Sequence, residues 1–278
     1  LIYLYLHLVV ALLLPELPQG VVARGSGFEI TDHEYHAYLT ASYQGDELFD
    51  SLLEQMVKEA VIRGEAARRG LTVSKDELER RIQDLDLRFK ASSGGQSGLK
   101  EYMEEQEIAE DEFYSALKLS IVHEAMARAD FEIGLNEEIS VEKLNIWLKD
   151  RVGKTPVETR NLAPGVVAII DGDPVTDDLF GSRLFALIPR KKAASLLTEM
   201  IGIELIRQKA EAMDLALEQK DLDREIAERE AVLQAKAGFS SITYEGYLKA
   251  ARGQTLDQLK ASGKFQGEVL LKKICESL

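Results

Sequence analysis

The chain has 278 residues, 45% hydrophobic and 29% charged, which is enough apolar material for two domains and too much for wholesale disorder. A formal net charge of −14 excludes a general nucleic-acid binder, because phosphate contacts need clustered Lys and Arg. The single cysteine, Cys275, excludes an intramolecular disulfide and a multi-cysteine zinc site.

Residues 1–14 (LIYLYLHLVVALLL) are almost wholly apolar and give way to Pro15, Pro18 and Gly20. That run is short for a helix that crosses a bilayer. Residues 1–20 therefore read as an export signal, with an uncleaved membrane anchor as the rival. Either reading places the remainder outside the cytoplasmic membrane and limits membrane contact to this segment.

Val21–Ala23 and Phe28–Ile30 then read as two short strands around Gly25 and Gly27. Thr31 opens a helix, with Glu34 completing a capping box. In the next helix Phe49, Leu52, Leu53, Met56, Val57 and Ala60 recur at helical spacing and form one apolar face. Gly70 follows Arg68 and Arg69 where a helix-ending glycine is expected. Ser74 and Glu77 cap the next helix, whose stripe is Leu78, Ile82, Leu85 and Phe89. Residues 91–98 (ASSGGQSG) read as a flexible loop. Helices at 99–106 and about 110–129 come after it, then a connector with a helix begun by Ser140 and carrying Leu144, Trp147 and Leu148.

The opening then recurs. Gly27, Ile30, Thr31 and Asp32 pair with Gly172, Val175, Thr176 and Asp177 at an offset of 145. Ser51-Leu52-Leu53-x-x-Met56 pairs with Ser195-Leu196-Leu197-x-x-Met200 at 144, as do Ala66, Leu71, Leu78 and Ile82 with Ala210, Leu215, Leu222 and Ile226. The second copy has Asp214 for the turn glycine and Glu218 for the capping serine, so packing, not turn chemistry, is what both copies are expected to keep. Thr255 and Gln258 read as the cap of the final helix. The predicted fold is mainly α, with two similar helical domains, each opened by a short β-strand pair. They span residues 21–130 and 165–278 and are joined by a helical connector at 131–164. The repeats are expected to pack reciprocally or to exchange terminal elements.

The pattern V-V-A-x-x-x-G-x-x-[IV]-T-D, then L-L-x-x-M-[VI], then A-x-x-x-G-L-x-V-S-x-x-E-L-x-x-x-I resembles the N-terminal chaperone domain of the SurA and PrsA family. The first repeat carries it on Gly27, Ile30, Thr31, Leu52, Leu53, Ala66, Gly70, Leu71, Val73, Ser74, Glu77 and Leu78. The resemblance implies an exported, ATP-independent, chaperone-like protein of the periplasm or cell envelope, with unfolded or extended polypeptides as partners. Family members commonly add parvulin-type prolyl isomerase domains with paired histidines in a sheet. His7, His33, His36 and His123 do not match that arrangement, so a non-enzyme without a cofactor is expected. An isomerase relative and an envelope adaptor for one specific protein are the alternatives.

No catalytic, cofactor or metal site is predicted. His33 and His36 put two imidazoles on one side of a helix, but no third ligand accompanies them. The acidic runs Glu104-Glu105 and Glu110-Asp111-Glu112 suit a solvated helix face and a helix start. Gly25 and Gly27 lead into Phe-Glu-Ile-Thr and not a phosphate loop. Client contact is expected in grooves between helices, where Met and aromatic side chains tolerate varied partners. The candidates are Tyr35, Tyr38, Tyr43, Met56, Tyr102, Tyr114 and Trp147.

Overall fold

The computed structural model describes residues 17–92, 94, 98–106, 108–134, 137–160, 162–236 and 238–278. The apolar run at 1–14 and part of the 91–98 loop lie outside them. The elements run β1 (Val21–Gly25), β2 (Phe28–Thr31), α1 (Asp32–Tyr43), α2 (Glu47–Arg68), α3 (Lys75–Ser92), α4 (Leu99–Glu105), α5 (Glu110–Asp130) and α6 (Val141–Lys154). There follow β3 (Val157–Glu158), β4 (Val166–Ile170), β5 (Asp173–Thr176), α7 (Asp177–Leu187), α8 (Arg190–Glu211), α9 (Gln219–Gln234), α10 (Tyr244–Arg252), α11 (Leu256–Ala261) and α12 (Gly263–Ser277).

The fold is mainly helical, and a strand pair precedes the first helix, as the sequence predicts. β1 and β2 are antiparallel, with Ala23 opposite Ile30 and Gly25 opposite Phe28. The second opening differs from a simple pair. Residues 157–158 of the connector add a strand, giving a three-stranded sheet in the order β3-β4-β5. The β4–β5 turn holds Asp171 and Gly172 at φ 53° and 90°, the pair of positive φ values that a type I′ hairpin requires.

The chain forms two compact units that are discontinuous in sequence. Of the described residues, the first contains 17–53, 162–167 and those within Val175–Leu278. The second contains Glu54–Arg160 and Ala168–Pro174. Compactness and repetition are different partitions of the chain, the first set by contact and the second by sequence pattern.

In the first unit α1 lies against α7. Both begin with a threonine cap, Thr31 accepting from the Glu34 amide and Thr176 from the Leu179 amide. Gly20 and Gly165 both sit at φ 78° and each accepts from the first helical amide, Asp32 and Asp177, at 2.9 Å. The helices cross where Gly181 meets the backbone of His36. A β-carbon at Gly181 would come within 2.7 Å of the His36 Cα, so the close approach depends on glycine. Leu39 and Leu184 flank the crossing and are both fully buried. The Tyr35 hydroxyl donates to the Ala193 carbonyl at 2.7 Å, and the Phe180 ring packs on Phe49 with centroids 4.5 Å apart. In the repeat register Tyr35 corresponds to Phe180 and Phe49 to Ala193, so each contact is the image of the other. Further along, Leu222, Ile226, Leu233, Leu248, Phe265 and Val269 form a core joining α9, α10 and α12.

In the second unit Ile62 and Ala66 of α2, Met126 and Ala127 of α5 and Trp147 of α6 form the core. The helix read as a connector is thus a core element. Burying a large apolar side chain of this kind contributes about 1.5–3 kcal/mol. A charged network closes its edge. Asp130 accepts two bonds from Arg69 at 2.8 Å, one from the Trp147 indole at 2.7 Å and one from Arg151 at 2.9 Å. Arg69 also reaches the buried Glu65 at 2.8 Å. These cations, Arg69 first, hold the Asp130 carboxyl well below its ordinary value. The α3 stripe is less covered than its pattern suggests, because Leu78, Ile82, Leu85 and Phe89 are only half-buried. Their counterparts Leu222 and Ile226 in α9 are buried.

Three sequence expectations change. Asp214 adopts φ 53° where Gly70 has φ 64°. Leu71 and Leu215 make the same bond, to Ala66 and Ala210, at 2.9 Å. The turn geometry therefore survives with an aspartate in the left-handed region, which Asp tolerates better than most residues. Glu218 replaces the serine cap, its amide donating to Asp221 at 3.1 Å within a capping box. Finally, Thr255 and Gln258 cap only the short α11. Ser262, extended at φ −70° and ψ 131°, breaks the run and caps α12 afresh.

The two hairpin tips also have related seats. In the first unit the Gln208 side-chain amide of α8 donates to the Ser26 carbonyl at 2.8 Å. In the second unit the Asp171 carboxylate lies over Gly64 of α2, 3.9 Å from where a β-carbon would stand. Position 26 corresponds to 171 and position 64 to 208 in the repeat register.

Candidate functional site

The first unit holds a cleft of about 880 Å³, near the upper end of typical ligand clefts. The capped α1 presents Ala37, Tyr38 and Ala41 as one wall. The second long helix, α8, supplies Leu196, Met200 and Ile203, which recur at helical spacing on one face. Leu259 and Phe265 extend this apolar floor where Ser262 turns the chain from α11 into α12.

The rim is charged. Lys264 pairs with Glu199 at 2.5 Å, Arg207 with Glu204 at 2.5 Å, and Arg229 with Glu268 at 2.7 Å. Arg229 also stacks over Phe265, 4.8 Å from the ring centre, where a cation is attracted to the ring face. The α1 side carries Glu29, Glu34 and Asp46. Glu34 accepts from the Thr31 amide and Asp46 from the Leu48 amide, both at 2.8 Å. Neutral donors leave those two charges intact. The Tyr38 hydroxyl is buried beside Glu199 and Ser42 without a well-formed hydrogen bond. Burial first, then the Glu199 charge, push this phenol well above its ordinary value, so it remains a neutral donor at the cleft wall.

Of the sequence candidates, Tyr38 alone lines this cleft. Tyr35, Met56 and Trp147 are interior side chains, 4%, 6% and 3% exposed. Tyr35 is tied to Ala193, and Trp147 to Asp130. Tyr43 is half-buried at the end of α1. Tyr102 stacks near Phe89 with centroids 4.7 Å apart, and Tyr114 meets the edge of Phe113. These last two belong to the second unit. Leu196, Met200 and Phe265 are not among the sequence candidates, although the apolar faces of α8 and α12 carry their signal.

His33 and His36 both face Asp178, at 3.6 Å and 2.9 Å. Among the described residues no group of three or more His, Cys, Asp and Glu is placed to hold a metal ion. A second, smaller cavity in the second unit is bordered by Glu65, Arg68, Arg151 and Lys154. Arg68 pairs with Glu65, Arg151 with Asp130 and Lys154 with Asp150, which neutralises its walls.

A helical module with an apolar cleft and a charged rim is the class that these features define. Residues 32–144 match the family model described as SurA-like N-terminal domain. The match runs from α1 into α6 and does not include the second half of the chain. No curated protein and no solved structure matches the chain. The SurA-like N-terminal domain is a non-catalytic module, typically extracytoplasmic. Among the described residues no helix is long and apolar enough to cross a membrane.

Proposed function

We propose that the protein is an extracytoplasmic, ATP-independent chaperone that binds unfolded or extended polypeptides in the cleft of its first unit. The cleft carries the proposal. Leu196, Met200, Ile203 and Phe265 offer apolar surface that accepts many side chains, with Met adapting its shape to each. The Tyr38 ring adds aromatic surface on the α1 wall, its hydroxyl buried beside Glu199 and Ser42. Weak burial of client surface lowers aggregation and permits rapid release. The SurA-like domain match supports the same class of activity.

The test is suppression of aggregation of a chemically unfolded protein by the full chain, in excess and without ATP. Ala41→Trp fills the cleft from an exposed position on α1 and is expected to abolish suppression while leaving thermal stability close to that of the parent. Suppression that survives Ala41→Trp would move client binding elsewhere; no suppression by the parent would end the reading.

We also propose that residues 21–130 and 165–278 are two copies of one module that exchange their openings. The support is the set of paired contacts across the repeat register: Gly20 and Gly165, Tyr35 with Ala193 and Phe180 with Phe49, Ser26 with Gln208 and Asp171 with Gly64. Isologous packing of this kind is what two copies of one surface produce. With Cys275 replaced by serine, the cysteine pairs at 26 and 208, and at 64 and 171, should each form an intramolecular disulfide. Disulfides that form only between chains, or neither forming, would refute the exchange.

A further inference from the structure

The cleft is asymmetric in charge, and the asymmetry specifies its occupant. On the α8 and α12 side, every carboxylate has a cation at hydrogen-bond distance: Glu199 with Lys264, Glu204 with Arg207, Glu268 with Arg229, and Lys192 of α8 adds a further positive charge to that wall. The opposite side bears Glu29, Glu34 and Asp46, and α1 itself places no Lys or Arg on the cleft. Glu29 pairs with Arg24 at 2.6 Å, outside the lining. Glu34 and Asp46 are held by backbone amides, which fix their positions without cancelling their charge. They line the same cleft as Leu196, Met200 and Ile203 and lie to either side of Tyr38 in the sequence of α1 and its following turn. The net charge of −14 adds a long-range field of the same sign.

Resting on the polypeptide-binding reading, we infer that the cleft selects extended segments in which a short apolar core is flanked by Lys or Arg. The apolar side chains lie on α8. The basic flanks face Glu34 and Asp46. The polar partners are fixed before binding, so the preference is expressed without reorganising the cleft.

Fluorescence anisotropy tests this with the full chain and three labelled peptides sharing one apolar core, flanked by two Lys, two Gln or two Glu. At low salt the lysine-flanked peptide should bind about tenfold more tightly than the glutamate-flanked one, and the gap should fall to about twofold at 0.5 M salt as the charges are screened. The double variant Glu34→Gln, Asp46→Asn keeps both amide-accepting oxygens and removes both charges. It should narrow the low-salt gap to about threefold with the glutamine-flanked peptide unaffected and the melting temperature close to the parent's. Equal binding of the three peptides at low salt would overturn the charge preference and leave the polypeptide reading standing. Failure of all three would overturn both. A gap that the double variant leaves untouched would refute the roles given to Glu34 and Asp46.

Discussion

Asp130→Asn asks whether the second unit is held by charge as well as by shape. Asp130 receives two bonds from Arg69, one from Trp147 and one from Arg151, all between 2.7 and 2.9 Å, with 26% of its side chain exposed. Hydrogen bonds to charged groups contribute about 1.5–3 kcal/mol each. Partial exposure screens roughly half of that, and asparagine still accepts about two of the four bonds. The expected loss is about 2 kcal/mol at neutral pH, a large fraction of a total stability of about 5–15 kcal/mol. In a urea titration this moves the midpoint down by about 1 M for a slope near 2 kcal/mol/M. Trp147 is the only tryptophan in the chain and donates to Asp130 directly, so its fluorescence reports the network itself. A cycle with Arg69→Met should show coupling of about 1.5 kcal/mol. The folded-state pKa of Asp130 is depressed, so its stabilisation is complete above the ordinary value of 3.8 and is lost as pH falls below that towards the folded pKa. The asparagine variant should accordingly have a shallower acid limb. A loss under about 0.5 kcal/mol, or additive single-variant effects, would refute the reasoning.

Further outcomes follow from other positions. Gly181→Ala drives a methyl into the His36 backbone and should cost about 3 kcal/mol, read as a drop in the melting temperature of the first unit; an unchanged melt would disprove the close crossing. Asp214→Gly relieves the left-handed backbone at φ 53° and should stabilise by about 1 kcal/mol, whereas Gly70→Ala should do the reverse. His123 is held below its ordinary value by burial, opposed by a bond involving the Leu144 backbone. The unfolded chain then takes up its proton first, so stability should fall as pH drops below 6.5. Chemical denaturation of His123→Leu should lack that component.

Local chemistry was readable where one residue type serves one geometry. Thr31, Ser74 and Ser140 cap helices as their spacing indicates, and the long face from Leu52 to Ala66 holds its helix throughout. What was not readable depended on partners distant in the chain. Trp147 looked like part of a connector because nothing near it in sequence indicates Met126 or Asp130. Tyr35 looked like a surface aromatic because Ala193, its acceptor, lies 158 residues away. The cleft needed both kinds of information: Tyr38 could be suspected from its helix, but its neighbours Met200 and Phe265 come from the other end of the sequence. Asp214 misled for a simpler reason, since an aspartate can occupy a backbone region for which glycine is only the usual choice.

The crossing of α1 and α7 has a temporal consequence. Thr40 bonds to Asp177 across 137 residues and Tyr35 to Ala193 across 158. A ribosome adding about 5–20 residues per second takes roughly 7–30 s to produce that separation. Throughout that interval Tyr35 and Leu39 lack α7 and α8, and the local contacts of α1 with β1 and β2 cannot complete its native packing. Assembly of the first unit therefore requires α1 to wait for α7 and α8, which are made more than a hundred residues later. A chain interrupted before Asp177 therefore leaves the buried face of α1, Tyr35 and Leu39, without its α7 and α8 partners.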